Sequence, residues 1–422
     1  MSTPTSVAHD AVAVKQRADL TFKHNMSNGR HGWLRLTPAY SVKVVDDILC
    51  DSEGRANVFD PFSGTATTPL CAGMRGHAAV ALDINPFLVW FGQAKVRAYS
   101  DDDLAHVEQC TREVLSSLRR GAGQAVAPPP ISNMDRWWGK MELGFLCAAK
   151  GGIEAVCPDP GPVRDLLLIA FCRTMMALSN VAFNHQSMSF KPRGAVSGQM
   201  ALFREDEPKA LRARFHEDVR FVLAGASLNP SRVPHVLQGD SRHIPRVFDD
   251  GADLLITSPP YPNRMSYIRE LRPYMFWLGF LKEAREAGEM DWEAIGGTWG
   301  IATSRVASWE RTANTFTPPY LAGLLDRIRR SDAKSGDILA RYVGKYFEDI
   351  WLHLQSAVQA MKPGGEMHYI VGNSKFYDVL VPVERVYEDM LKQLGVAHTE
   401  IRALRKRSSK KELVEYDVIA TV

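Results

Sequence analysis

Apolar and polar positions change rhythm several times along the chain, and each change marks an element. Residues 56–59 form a short, mostly apolar run closing on Asp60; a Pro-Phe-Ser-Gly turn follows, and Thr67–Met74 reads as helix. Residues 78–82 repeat the pattern, end in Asp83, and lead to a helix over residues 87–96 with Pro86 where a first helical turn takes a proline. Two such units in succession predict a parallel sheet with right-handed crossovers. The alternation resumes at residues 233–237 and at Ala252–Thr257, which runs into Ser258-Pro259-Pro260-Tyr261. From Ile338, the apolar residues Tyr342, Val343, Tyr346, Phe347, Ile350, Leu354 and Val358 recur at helical steps, the mark of an amphipathic helix lying on a sheet. Pro363-Gly364-Gly365 stops it; residues 367–371 then read as strand and residues 382–394 as helix, with Gly395 just beyond. Residues 396–404 and 413–422, joined by one short loop, predict antiparallel neighbours. The expected fold class is therefore α/β: a mostly parallel sheet with a C-terminal antiparallel hairpin.

Two stretches interrupt this alternation. Residues 101–235 carry helical patterns over 104–118, 163–179 and 208–226, so they predict a mostly helical insertion. Residues 283–337 form a second insertion, Gly- and Thr-rich around Trp299 and Trp309 and basic toward its end. Residues 1–22 show no clear periodicity and are expected to be a loose arm. The expected organisation is thus an arm (1–22), a first half (23–100), the helical insertion (101–235), a second half (236–282), the second insertion (283–337) and the rest of the sheet with its hairpin (338–422).

Composition narrows the class. The chain has 422 residues, 45% hydrophobic and 23% charged, as in folded globular proteins and unlike disordered or collagen-like chains. Its longest apolar stretches, such as residues 165–177, are broken by charge before the roughly 18 residues a membrane span needs, and no signal-peptide pattern opens it. No membrane association and a cytoplasmic location are expected. Cys50, Cys71, Cys110, Cys147, Cys157 and Cys172 never form a C-x-x-C pair, so reduced, mostly buried thiols are expected and no metal site. Net charge is only +3, but Arg402, Arg405, Lys406, Arg407, Lys410 and Lys411 put six cations into ten residues without an acid.

Two loops carry candidate chemistry. In Asp60-Pro61-Phe62-Ser63-Gly64-Thr65-Ala66-Thr67-Thr68, a strand feeds a Gly/Ser/Thr turn that opens a helix, which exposes backbone N–H groups as nucleotide-binding loops do. It is neither a Walker loop nor a G-x-G-x-x-G fingerprint. Asp83, 23 residues beyond Asp60, ends the second strand where an acid accepts both hydroxyls of a ribose. An acidic strand end that caps the next helix is the structural alternative. The second loop, Ser258-Pro259-Pro260-Tyr261, has two prolines that fix φ and hold nearby carbonyls as rigid acceptors. Such a loop suits a planar amino group: acceptors on its hydrogens, here the Ser258 side chain and Pro259 carbonyl, draw the nitrogen toward tetrahedral geometry and free its lone pair, while Tyr261 stacks on the base. A Pro-Pro turn leaving a buried strand is the structural alternative.

These residues together resemble the S-adenosylmethionine-dependent DNA amino-methyltransferases. Residues 60–68 resemble that family's cofactor loop, Asp83 with Ile84 and Asn85 its ribose acid and flank, and Ser258-Pro259-Pro260-Tyr261 its catalytic tetrapeptide. His31-Gly32-Trp33 through Tyr40-Ser41 resembles the segment closing over the methionine end of the cofactor, and Asp240-Ser241 the acid near the adenine amine. Residues 361–365 and 370–374 resemble later sheet motifs. The resemblance covers about half of the chain and implies a Rossmann-like class I methyltransferase fold, with S-adenosyl-L-methionine as cofactor and no metal. It implies cofactor contacts from Trp33, Tyr40, Ser41, Asp60, Pro61, Phe62, Ser63, Gly64, Thr65, Thr67, Asp83, Ile84, Asn85, Asp240 and Ser241, and catalysis by residues 258–261. Ala66 stands where the family has a second glycine; with a negative φ it would follow the turn without strain.

Serine at the first tetrapeptide position resembles members that methylate cytosine N4, with adenine N6 the near alternative. Carbon-5 chemistry is disfavoured because no Pro-Cys pair occurs. An RNA base-amine methyltransferase and a catalytically silent subunit remain open. Double-stranded DNA is the expected partner, its target base flipped out, with phosphate contacts from Lys191, Arg193, Arg264, Arg405, Lys406, Arg407 and Lys410. The larger insertion is the first candidate for target recognition. A cognate restriction endonuclease is a candidate partner of the restriction-modification setting, and the oligomeric state stays open.

Overall fold

A computed structural model describes residues 14–36, 40–52, 54–121, 125–182, 189–190, 207–298, 300–312, 315–407 and 412–422. Its centre is a seven-stranded sheet: β1 (Asn57–Asp60), β2 (Ala78–Asp83), β3 (His235–Gln238), β4 (Ala252–Thr257), β5 (Met361–Gly372), β6 (His398–Lys406) and β7 (Val414–Thr421). The spatial order is β3-β2-β1-β4-β5-β7-β6. Neighbours from β3 to β5 are parallel, and β7 runs antiparallel to both β5 and β6. This is the mostly parallel sheet with a C-terminal antiparallel pair that the pattern predicts, and it is Rossmann-like, as the resemblance implies.

Local sequence accounts for the elements that carry the site. Helix α1 (Val42–Asp51) is capped by Ser41, whose Oγ accepts from Lys43 N at 3.2 Å. Helix α2 (Thr67–Met74) is buried from Thr67 through Gly73, which is why its sequence shows no polar face. Asn85 Oδ1 accepts from Phe87 N at 3.0 Å to cap α3 (Pro86–Val96), with Pro86 in its first turn.

The larger insertion supplies α4 (Asp101–Arg120), α5 (Lys140–Val156), α6 (Pro162–Ala177) and α7 (Glu207–Ala226). Their apolar faces share one core with Phe87 and Phe91 of α3 and with Leu271, Tyr274 and Trp277 of α8 (Tyr267–Trp277), the helix that follows Tyr261. The second insertion supplies α9 (Ala284–Glu293), α10 (Ile301–Ser308) and α11 (Pro319–Ser331), which pack with α12 (Gly336–Gln359). Helix α13 (Val383–Gln393) lies between β5 and β6 in the chain.

The loose arm expected over residues 1–22 needs correction in its described part. Leu20 is buried against Val44 and Ile370, and the Asp19 carbonyl accepts from Ser41 Oγ at 2.7 Å, so a short turn at Ala18–Leu20 is pinned to α1 and the sheet. Residues 1–13 lie outside the described residues. The cysteines are free, and all but Cys50 are buried. No helix among the described residues is long and apolar enough to cross a membrane, and none of them form a group of three or more metal-ligating side chains.

Candidate active site

Strand order reverses between β1 and β4, and ligands of open parallel sheets bind beyond the carboxyl ends of strands at such a point. Both singled-out loops leave the sheet here, after β1 and after β4. They open on one cavity of about 440 Å³, a volume in the usual range for small-molecule sites.

One wall is the loop after β1. Pro61, Phe62, Ser63, Gly64 and Thr65 line it, with Asp83, Ile84 and Asn85 after β2 and with Asp240 and Ser241 after β3. Asp83 bridges two backbones: Oδ2 accepts from Gly64 N at 2.8 Å and Oδ1 from Asn85 N at 2.9 Å. Burial pushes its carboxyl up to about 7 against those N–H groups. Ser63 N donates to Leu82 O at 2.7 Å, which ties the loop to β2, while Ser63 Oγ is buried without a partner among the described residues. Gly64 takes φ +51°.

Asp60 stands behind this wall, wholly buried. Its Oδ1 accepts from Phe62 N at 3.1 Å and from Thr257 Oγ1 at 2.6 Å. Its Oδ2 has no partner among the described residues, and burial raises the carboxyl to about 6. Thr67 is likewise behind the wall, its hydroxyl 3.0 Å from that of Thr65. Ala66 corrects the expectation of a negative φ: it sits at φ +54°, ψ +42°, a left-handed conformation that costs a non-glycine residue about 1–2 kcal/mol.

The tetrapeptide lines the same cavity through Ser258, Pro259, Pro260 and Tyr261. Ser258 Oγ donates to Ile370 O at 3.1 Å, so its single proton is directed into the protein and its lone pairs remain for a donor. Tyr346 OH donates to Pro260 O at 2.9 Å, and Tyr261 N donates to Tyr267 OH at 3.2 Å, which fixes the loop at both ends. The Arg407 guanidinium lies over the Tyr261 ring, 4.8 Å from its centroid.

Several expected contacts fall elsewhere. Tyr40 lines the cavity, its hydroxyl bonded to Thr68 Oγ1, but Ser41 serves as the helix cap described above. Trp33 is not part of the cavity wall. It is fully buried in the insertion's core, edge-on to Tyr99 and beneath the Arg30 guanidinium, because its large apolar ring completes that core. Arg405 and Arg407, expected on a phosphate-binding surface, line the cavity instead. Arg264 is exposed just past the tetrapeptide at φ +61°, with its N donating to Tyr342 OH at 3.3 Å. Lys406 is half-buried in β6. Lys191, Arg193 and Lys410 lie outside the described residues.

Sequence pattern missed the residues that hold these loops from behind. Lys95 Nζ donates to Thr65 O at 2.6 Å, and burial lowers its ammonium to about 7. Arg242 grips Asp240 through Nη2 at 2.8 Å and Asp349 through Nη1 at 2.9 Å; burial opposes ionisation of Asp240, but Arg242 outweighs it and holds the carboxyl below its usual range. His353 Nδ1 lies 3.0 Å from Ser241 O and Nε2 2.9 Å from Tyr369 OH. Burial lowers that imidazole to about 4, so it is neutral, donating from Nδ1 and accepting at Nε2. Lys95 and His353 act on residues distant in sequence, and Arg242 ties neighbouring Asp240 to distant Asp349, so no local spacing announces these links.

The reversing parallel sheet thus brings an acid-flanked turn and the Ser258-Pro259-Pro260-Tyr261 loop to one cavity. No protein-family model matches the chain. It is 20% identical over 440 aligned positions to the Type II methyltransferase M.BsoBI of Geobacillus stearothermophilus, covering 95% of this chain and 86% of that one. The Type II methyltransferase M.MvaI of Kocuria varians is 19% identical, with 81% and 75% covered. For M.AvaI of Nostoc sp. the figures are 17%, 90% and 81%. Among solved structures, TrmN from Thermus thermophilus aligns at 10% identity and a TM-score of 0.31, covering 96% of this chain and 53% of that one, too loosely to add to the topology above. Similarity to methyltransferases over most of the chain supports methyl transfer as the activity.

Proposed function

We propose that the protein is a DNA methyltransferase that takes its methyl group from S-adenosyl-L-methionine and places it on the exocyclic N4 amine of a flipped-out cytosine. The observation that carries this reading is the orientation of Ser258: its proton goes to Ile370 O, so an acceptor faces the same cavity as the loop after β1.

The residues fit the cofactor. Ser63 Oγ, a buried oxygen on the cavity wall, takes a donor from it, and Asp83 keeps a lone pair on each oxygen for the ribose hydroxyls. The unpartnered Asp60 Oδ2 adds negative charge behind the loop, suited to an amino acid's ammonium. Bound there, S-adenosylmethionine supplies an electrophilic methyl on a sulfonium, which leaves as a neutral thioether.

The chain's own residues then act on the base. Ser258 Oγ and the Pro259 carbonyl accept from the two amine hydrogens and pull the nitrogen out of conjugation. The freed nitrogen lone pair forms the N–C bond as the C–S pair returns to sulfur, and the extra proton leaves to water. Because the nitrogen gains positive charge as it becomes tetrahedral, both acceptors hold it more tightly in the transition state than in the ground state. Tyr261 stacks its ring on the base.

Serine at position 258 supports cytosine N4 through the resemblance above, and adenine N6 would use the same geometry. Residues 101–235 are the proposed target-recognition region, with exposed Arg264 and with Lys406, Lys191, Arg193 and Lys410 as proposed phosphate contacts. The relatives' Type II designation fits a restriction-modification setting with a cognate endonuclease. The test is transfer of labelled methyl from S-adenosylmethionine into duplex DNA and, in parallel, into total RNA. Label in DNA alone supports the reading. Label in RNA alone, or in neither with folded protein, contradicts it.

A further inference from the structure

The C-terminal hairpin reaches back behind the amine loop. Glu415 in β7 is buried, and its Oε1 accepts from Tyr261 OH at 3.0 Å. Arg405 of β6 clasps the same carboxylate, Nε to Oε2 at 2.7 Å and Nη2 to Oε1 at 3.0 Å. These two face each other because β6 carries a bulge: Ala403 pairs with Tyr416 and Arg405 with Glu415, so Leu404 is the extra residue. Without it, Leu404 would stand opposite Glu415 and Arg405 would move on to Val414. Arg407 Nη1 donates to Asn373 O at 2.8 Å while its guanidinium covers Tyr261. A Cβ at position 372 would lie 2.3 Å from that nitrogen, so Gly372 leaves room for Arg407.

We propose that Glu415, held by Arg405, is a positioning residue that sets the direction of the hydrogen-bond chain ending at Ser258. The inference rests on the proposed amine methylation. A carboxylate only accepts, so the Tyr261 hydroxyl donates to Glu415, and its oxygen is left to accept. Ser258 Oγ lies 3.5 Å from that oxygen and 3.1 Å from Ile370 O. Both acceptors for the serine proton therefore belong to the protein, and both serine lone pairs stay free for the base. Turned round, Tyr261 would donate into Ser258 and consume one of them. Burial also pushes the Tyr261 hydroxyl well above its ordinary range, which keeps it a donor. Two of the hairpin's six cations are thus built into the amine site.

The test uses the full-length protein, its DNA substrate and S-adenosylhomocysteine as binding probe. Glu415→Gln is expected to lower kcat about tenfold or more, as loss of a charge-assisted hydrogen bond does, with KM for DNA and S-adenosylhomocysteine affinity within about twofold. Tyr261→Phe, which leaves the ion pair in place but removes one of the two acceptors of the Ser258 proton, is expected to lower kcat less than Glu415→Gln does, with the same split. It also serves alone if Glu415→Gln folds poorly. In the Tyr261→Phe background, Glu415→Gln should add less than about twofold, because its route to Ser258 is gone. Multiplying effects in the double variant, a change confined to KM or melting temperature, or a fully active Tyr261→Phe overturns the inference. Absence of methyl transfer to DNA by the wild-type protein would instead overturn the proposed function.

Discussion

Thr257 donates its hydroxyl to Asp60 across 2.6 Å, joining the last residues of β4 and β1 at the point where strand order reverses. The loop assigned to the cofactor and the loop assigned to the base amine are therefore fixed to each other through two wholly buried side chains. Thr257→Val keeps the shape and removes the donor. It is expected to cost about 1–3 kcal/mol in stability by leaving a buried carboxyl oxygen short of a partner, and to weaken S-adenosylhomocysteine binding. Urea unfolding and calorimetry check both, and unchanged values would remove the coupling between the loops.

The buried carboxyls give a pH dependence with a defined sign. Asp60 is raised to about 6 and Asp83 to about 7, chiefly by burial. Each folded value lies above the ordinary 3.8 of an aspartate, so their stabilisation of the unliganded fold is complete below about pH 4 and is lost as pH rises through about 6–7. Ligand binding runs the other way, because an ammonium and ribose hydroxyls want the carboxylates. S-adenosylhomocysteine affinity measured by calorimetry should rise from pH 5.5 to 8. Asp60→Asn should flatten this rise, weaken binding and raise the unliganded melting temperature at pH 8.

Ala66 holds a left-handed backbone with its Cβ buried close to Gly92. Ala66→Gly exchanges the strain for lost methyl burial and greater freedom of the unfolded chain, and is expected to leave stability within about 1 kcal/mol. Ala66→Val adds a branched side chain in that conformation and should cost several-fold more. Denaturant unfolding distinguishes them, and equal behaviour would contradict the positive φ.

The hairpin's cations divide into two kinds. Neutralising Lys406 should weaken DNA binding and reduce the slope of log K against log salt by about 0.9. Arg405→Gln should lower the methyl-transfer rate more than it changes that slope, since Arg405 is committed to Glu415. Binding titrations over a salt series, paired with single-turnover rates, separate the two. A full unit of slope lost with Arg405 would return it to the phosphate-contact role.

Most of the sheet is legible in the sequence because its strands end on chemically distinct residues. Apolar runs closing on Asp60, Asp83 and Thr257 mark β1, β2 and β4 within one residue, and the periodicity from Ile338 marks α12. Helix α5 escapes notice because Gly144, Gly151 and Gly152 interrupt its apolar pattern, although Gly152 is needed where Val114 packs 3.3 Å from its would-be Cβ. Trp33 and Ser41 lie near the cofactor loop in sequence-motif terms, yet a core position and a helix cap use them. Glu415 is illegible for a different reason. It lies 154 residues from Tyr261, and its meaning depends on a bulge at Leu404 that no residue type announces. The same bulge turns a cluster that reads as a basic surface into part of the site wall.

The most direct measurement of the central claim is nucleoside analysis by mass spectrometry of DNA isolated from cells making the protein, beside DNA from cells making Ser258→Ala. The account predicts N4-methylcytosine in the first and at least a hundredfold less in the second, with S-adenosylhomocysteine affinity of the variant retained. Methylated adenine alone would move the reaction to N6, and no methylated base with a folded, cofactor-binding protein would contradict the account.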